Sequence, residues 1–198
     1  MSNAVSHMLK GQEVNLMEVD PGLHRAVIGL GWGVPEQDQG FPVDLDASAF
    51  LLTRENRVRM DTDFIFYNNL ETEESAIRHL GDSTTGEGDG DDEKIEINLD
   101  ALPFDVEKIA FAVTIHNAEE RQQNFGLVKS AFIRIANLDT GVELARFDLT
   151  EDASDDTGFV FGELSREGTG WKFRAMGQGS TGGLYKISRD YNVNVAPP

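Results

Sequence analysis

Apolar and polar positions along this chain repeat with a period of two. In EKIEINL (93–99), Ile95, Ile97 and Leu99 fall on one face of an extended segment, because successive side chains of a strand point to opposite sides. KIAFAVTIH (108–116) sets Ile109, Phe111, Val113 and Ile115 against the small Ala110 and Ala112, the pattern of a central strand buried on both faces. AFIRIANL (131–138) alternates Phe132 and Arg134 with Ile133 and Ile135, and ELARFDL (143–149), GFVFGEL (158–164) and WKFRAMG (171–177) continue the series. Upstream, RAVIGLGW (25–32), DLDASAFLL (44–52) and DFIFYN (63–68) read the same way, and LKGQEVNL (9–16) adds one more. DPG at 20–22, NLDTG at 137–141 and REGTG at 166–170 supply turn chemistry between the runs.

Short strands separated by turns predict an all-β fold, an antiparallel β-sandwich of two packed sheets with one or two short helices. One helix is expected over NAEERQQNFG (117–126), where Asn117 and Glu120 have the spacing of a capping box. The other falls in GGLYKISRDYNV (182–193), where Leu184, Ile187 and Tyr191 share a helical face. No repeat or long linker divides the chain, so residues 9–195 are read as a single domain. Residues 1–8, MSNAVSHM, are set aside as a leader or disordered N-terminus.

Composition narrows the functional classes. The 198 residues carry 35 acidic against 17 basic side chains, a net charge of −18. Such a surface repels nucleic acid and anionic lipid and attracts cations. There is no cysteine, which removes disulfides, thiolate metal sites and a cysteine nucleophile, and suits a reducing cytoplasm. Capture of soft ions by protein thiolates is excluded for the same reason. No apolar run approaches the ~20 residues of a membrane span, so direct membrane insertion is not expected.

The acid is not evenly spread. GDSTTGEGDGDDEKIEI (81–97) holds Asp82, Glu87, Asp89, Asp91, Asp92, Glu93 and Glu96 against one base, Lys94. Asp82 to Glu93 spans the twelve residues of an EF-hand loop, but Thr84 and Gly86 stand where acids belong, Glu87 stands where glycine belongs, and a strand follows. The loop is therefore not an EF-hand, although a pliable, oxygen-rich loop can wrap a hard cation in the same way. Two further pairs, Asp44 with Asp46 and Asp61 with Asp63, have strand spacing that puts their Cα atoms about 6.5 Å apart on one face. Carboxylates that close disfavour each other's ionised form unless a cation lies between them. Asn68 and Asn69 add neutral amide oxygens. Oxygen-only donors favour Ca²⁺, Mg²⁺ or Mn²⁺, and many flexible ligands favour Ca²⁺. Repulsion within the loop also predicts that neutralising Asp91 and Asp92 together leaves the metal-free protein as stable as before, or slightly more so.

Other motifs read blandly. GEGDG lacks the lysine and following helix of a phosphate loop. Ser48 lacks a nucleophile elbow. The four histidines, His7, His24, His79 and His116, do not cluster in sequence, and His116 reads as a turn-bonding residue at a strand end. TEDASDDTG (150–158), with Asp152, Asp155 and Asp156, reads as a solvated loop.

Taken together, GLGW, DLDASAFLL, DFIFYNN, GDSTTGEGDGDDE, TIHNAEERQQNFG, AFIRIAN, ELARFDLTEDAS and WKFRAMGQG resemble the TerD family of bacterial tellurium-resistance and stress-response proteins. The resemblance runs from about residue 9 to 195. It implies a β-sandwich that binds calcium through acidic loops in a cytoplasmic protein, sometimes membrane-associated through partners and acting with other tellurite-resistance proteins. By position it carries a calcium role to Asp63, Asn68 and Asn69, to Asp82, Asp89, Asp91, Asp92 and Glu93, and with a weaker match to Asp44 and Asp46. The expected function is then a calcium-binding module that works through protein partners, not an enzyme, since no nucleophile is found. The alternative is a metal-dependent hydrolase or phosphotransfer enzyme using the acidic cluster, which would need an open coordination position and a nearby base. A third class is a self-assembling structural protein.

Overall fold

The computed structural model describes residues 6–33, 43–81, 90–149 and 155–196. Its strands are β1 (Ser6–Met8), β2 (Glu13–Asn15), β3 (Arg25–Gly33), β4 (Leu45–Leu52), β5 (Phe64–Ile65), β6 (Ile77–His79), β7 (Glu93–Asn98), β8 (Lys108–Ile115), β9 (Ser130–Asn137), β10 (Glu143–Asp148), β11 (Gly158–Glu167) and β12 (Gly170–Ser180). Three short helices accompany them: α1 (Leu16–Val19), α2 (Ala118–Arg121) and α3 (Gly183–Asp190).

The strands form two six-stranded sheets. One has the order β1-β10-β9-β3-β7-β6 and the other β2-β12-β11-β8-β4-β5. All pairings are antiparallel except β1 with β10. The sandwich expected from the period of two is therefore present, and β8 lies inside its sheet as its two-sided apolar pattern requires.

The main core fills the space between the sheets. Ile28 and Leu30 of β3, Ile95 and Ile97 of β7, and Ile133 and Ile135 of β9 meet Ala47, Ala49 and Leu51 of β4 and Ile109, Phe111 and Val113 of β8. A second, smaller cluster covers the far face of the second sheet. There Phe50 and Leu52 of β4 and Ala110 and Ala112 of β8 pack under Ile187 of α3 and under Tyr191 and Val193 beyond it. Phe50 stacks on Phe64 at 4.6 Å, Phe64 stacks on Phe66 at 4.2 Å, and Tyr191 tilts over Phe50 at 4.9 Å. Leu184, Ile187 and Tyr191 thus serve the face that their spacing predicts.

Four local readings differ. Residues 6–8, set aside from the fold, form β1 with Met8 buried. Residues 9–16 contribute only β2 before α1, because Asn15 caps that helix by accepting from the Met17 and Glu18 amides. The segment 63–68 is strand only at Phe64–Ile65, since Phe66 and Asn69 exchange backbone bonds in a tight turn. Finally, Asn117 adopts φ 51° and makes no side-chain cap. The capping box does not form, and the helix it was to open is one turn long.

Phe50 is fully buried and touches aromatic rings from β5 and the C-terminal segment. Phe50→Ala is expected to destabilise the protein by about 3–5 kcal/mol, the range for a buried phenylalanine. Urea unfolding followed by tryptophan fluorescence measures this, and a loss below about 1 kcal/mol would show that the second cluster contributes little.

Candidate cation site

The acidic loop returns to the fold through three consecutive carboxylates, each held by a different strand. Gly90, Asp91 and Asp92 lead directly into β7, where Glu93 opposes Leu30 of β3. The chain bends at Asp92 before β7 begins, so strand alternation does not extend back over these residues, and Asp91 and Glu93, two apart, face opposite sides of the sheet.

Asp91 lies over Gly29 of β3, where a Cβ would overlap its carboxyl group. Glycine at that position is therefore a packing requirement. Both Asp91 oxygens accept from Arg134 of β9, Oδ1 from Nε and Oδ2 from Nη2, each at 2.6 Å. The Asp91 side chain is 1% exposed and Arg134 25%, and Glu143 shares the guanidinium at 3.3 Å. These two acids, Asp91 first, hold the Arg134 pKa above its ordinary value. Phe132 fills the analogous position over Gly31 and carries the Arg146 guanidinium on its ring at 3.7 Å.

Asp92 reaches the edge of β3, where its Oδ2 accepts from the Trp32 amide at 2.8 Å while its own amide donates to Leu30. Burial pushes the Asp92 carboxyl pKa up; the Trp32 bond opposes that shift and the neighbouring Asp91 charge adds to it.

Glu93 points inward. Its Oε2 accepts from the Ala47 amide of β4 at 2.7 Å and from His79 Nε2 of β6 at 3.1 Å. β5 ends at Ile65, paired with Ala49, so the stretch of β4 beyond it has no strand alongside, and Glu93 takes the Ala47 amide there. Gly81 donates its backbone N–H to His79 Nδ1 at 3.1 Å. Nδ1 is therefore the acceptor, and the imidazole proton sits on Nε2 facing Glu93.

The remaining expected ligands lie elsewhere or are committed. Asp63 is buried, and Arg59 forks it with Nε on Oδ2 and Nη2 on Oδ1, both at 2.8 Å. Arg59 also reaches Asp105 at 2.9 Å, and Asp63 is the main cause of its raised pKa. Asn69 spends its amide group on the carbonyls of Thr62 and Phe64 at 3.2 and 2.7 Å. Asn68 is exposed beside it. Asp46 is buried on the face of β4 that carries Phe50, away from the core, and its Oδ2 meets His116 Nδ1 at 3.0 Å. Asp44 accepts the His116 amide through its backbone carbonyl. Asp82 and Asp89 lie outside the described residues.

The structure thus brings Asp91, Asp92 and Glu93 to one end of β7 but turns them three ways. Among the described residues no three His, Asp or Glu side chains converge as a cage. The arginine partners were missed because a sequence gives no distances, though Arg59 stands four residues before Asp63. The alternation of Gly29 and Gly31 was the available signal that something must lie down on that face of β3. As a donor set for a hard cation, the fit is divided. Asp63 and Asp91 are already neutralised by guanidinium groups. Asp92, whose burial works against its charge, has no basic partner among the described residues and is held by the Trp32 amide.

The chain matches the TerD domain over residues 5–191. It is 52% identical over 187 residues to the "Tellurium resistance protein TerD" of Serratia marcescens, covering 94% of this chain and 97% of that one. It is 48% identical over 188 residues to "General stress protein 16U" of Bacillus subtilis, covering 95% and 97%. The crystal structure of a homologue of telluride resistance protein (TerD) from Streptomyces coelicolor superimposes with a TM-score of 0.68 at 23% identity, over 89% of this chain and all of that one. That likeness concerns the fold.

Because Arg134 neutralises Asp91 inside the protein, the expectation that neutralising Asp91 costs nothing without metal is revised. In chelator, Asp91→Asn is expected to lower unfolding stability by about 3 kcal/mol, the low end for breaking a buried pair. Glu71→Gln, which breaks the exposed Arg78–Glu71 pair, should move the urea midpoint far less, because solvent screens that pair. Equal urea midpoints for the two variants would show that the Asp91–Arg134 pair has no special weight.

Proposed function

This chain belongs to the TerD family of tellurium-resistance and stress-response proteins, and from that premise we propose that it is a cytoplasmic calcium-binding module acting through protein partners. The observation that carries the reading is the anchored exit of the acidic loop. Asp91, Asp92 and Glu93 are pinned to β9, β3 and β4, so the end of residues 81–93 has a fixed position and direction. Its start is held too, because β6 pairs with β7 and Leu80 donates to the Lys94 carbonyl; a segment fixed at both flanks loses less entropy when it closes around an ion.

In this reading Asp82, Asp89 and Asp92 hold the ion, Glu93 and His79 hold the strand, and Asp91 orders the glycine face. Calcium would supply charge neutralisation and loop order. Partners would then distinguish the calcium-loaded protein from the metal-free one, whose crowded carboxylates repel each other. The family relationship supports the stress-response setting.

Isothermal titration of the chelator-stripped protein is expected to show tighter binding of Ca²⁺ than of Mg²⁺. The melting temperature should rise with Ca²⁺, by the equivalent of roughly 2.7 kcal/mol at a hundredfold excess over Kd. Asp82→Asn combined with Asp89→Asn is expected to remove most of that gain while leaving the chelated protein unchanged. Asp91 is unsuitable for this test because its loss also breaks the Arg134 pair. Undiminished calcium dependence in the double variant, or none in the parent protein, refutes the reading.

A further inference from the structure

A second feature lies at the opposite face of β4, outside the loop. Where β8 runs into α2 and β12 runs into α3, the second sheet opens into a cavity of about 940 Å³. Its size is that of a small-molecule pocket and far exceeds what one metal ion occupies. Four carboxylates stand in its wall: Asp46 at its inner end, Glu119 and Glu120 from α2, and Asp155. Tyr67 and Tyr185 add aromatic surface, the latter from the first turn of α3. No lysine or arginine is among its lining residues.

Of the four carboxylates, Asp46 meets His116, itself in the lining, at 3.0 Å; the other three are not paired within the described fold. Arg134 and Arg59 neutralise Asp91 and Asp63, whereas Glu119, Glu120 and Asp155 make no ion pair among the described residues. Lys186, one turn into α3, is turned to Asp190 instead. The cavity therefore combines organic-ligand volume, aromatic walls and three carboxylates that no base pairs among the described residues. An anion would meet repulsion from them. A metal ion would leave most of the volume empty.

We propose that this cavity binds a linear aliphatic polyamine. Its ammonium groups would pair with Glu119, Glu120 and Asp155, and its methylene segments would lie along Tyr67 and Tyr185, where cation–π attraction adds to contact. The proposal does not rest on calcium binding by the 81–93 loop.

Spermidine titrated into the metal-free protein, in about 0.15 M salt to screen diffuse attraction, is the test. One saturable site per chain is expected. Glu119→Gln with Glu120→Gln should weaken binding about tenfold or more, as the loss of charge-assisted bonds requires. Tyr185→Ala should weaken it about threefold, the weight of one cation–π contact. Glu73→Gln with Glu74→Gln, which removes two exposed acids outside the cavity, should leave it unchanged. All these side chains sit at the surface, and unchanged melting curves confirm that each variant folds. Uptake that does not saturate, or that falls equally in the 73/74 and 119/120 variants, identifies diffuse counterion attraction and overturns the proposal. So does no binding at all.

Discussion

Much of this architecture turns on one carboxylate placed between two hydrophobic sheets. Glu93 is 2% exposed, and an ionised carboxylate there is tolerable only with strong donors close by. The two donors come from different sheets. Ala47 belongs to β4 of one, and His79 to β6 of the other. The bond pair therefore ties the sheets together at the end where β5 has stopped. It also fixes register. Sliding β7 by one residue would put Asp92 or Lys94 in the core and Ile95 outside. Just before that strand the chain bends at Asp92, which lets Asp92 meet the Trp32 amide and Asp91 lie over Gly29 against Arg134.

The layers of the fold could be read from the chain because burial on a pleated surface leaves a period of two. β4 and β8 carry it most strongly, since their residues lie in one or other of the two clusters. The misread elements are those whose form is set by tertiary partners. β6 is three residues long with exposed Arg78 at its centre, too short to show a period. β1 draws its place from parallel pairing with β10. Asn117 had the right neighbours for a capping box, but its left-handed conformation turns the side chain away from that role.

The site was legible as chemistry and not as geometry. Crowded carboxylates announce a demand for positive charge. They do not reveal whether an arginine or a cation meets it. For Asp63 the answer lies four residues away in Arg59, and for Asp91 it lies across the sheet in Arg134. His79 was invisible as a partner of Glu93 because two strands, not sequence proximity, bring them together. Gly29 and Gly31 alternate along β3, so the outer face offers no side chain at those two positions, and Asp91 and Phe132 occupy the space.

Charge economy connects these observations. With 17 bases for 35 acids, the protein cannot neutralise every carboxylate, so the placement of each arginine is informative. Arg59 and Arg134 serve acids that are buried within the sheets, where an unpaired charge would cost most. Among the described residues no base pairs with Glu119, Glu120 or Asp155, and Asp92 is held by a backbone amide. Solvent and salt cover such groups adequately when they are scattered. When they are gathered at the anchored end of a loop or around one cavity, mutual repulsion rises, and a bound cation lowers the energy of the folded state relative to any arrangement without it. Arginine stabilises acids whose positions the fold must fix permanently. A diffusible cation suits acids whose order has to change with conditions, because it can leave.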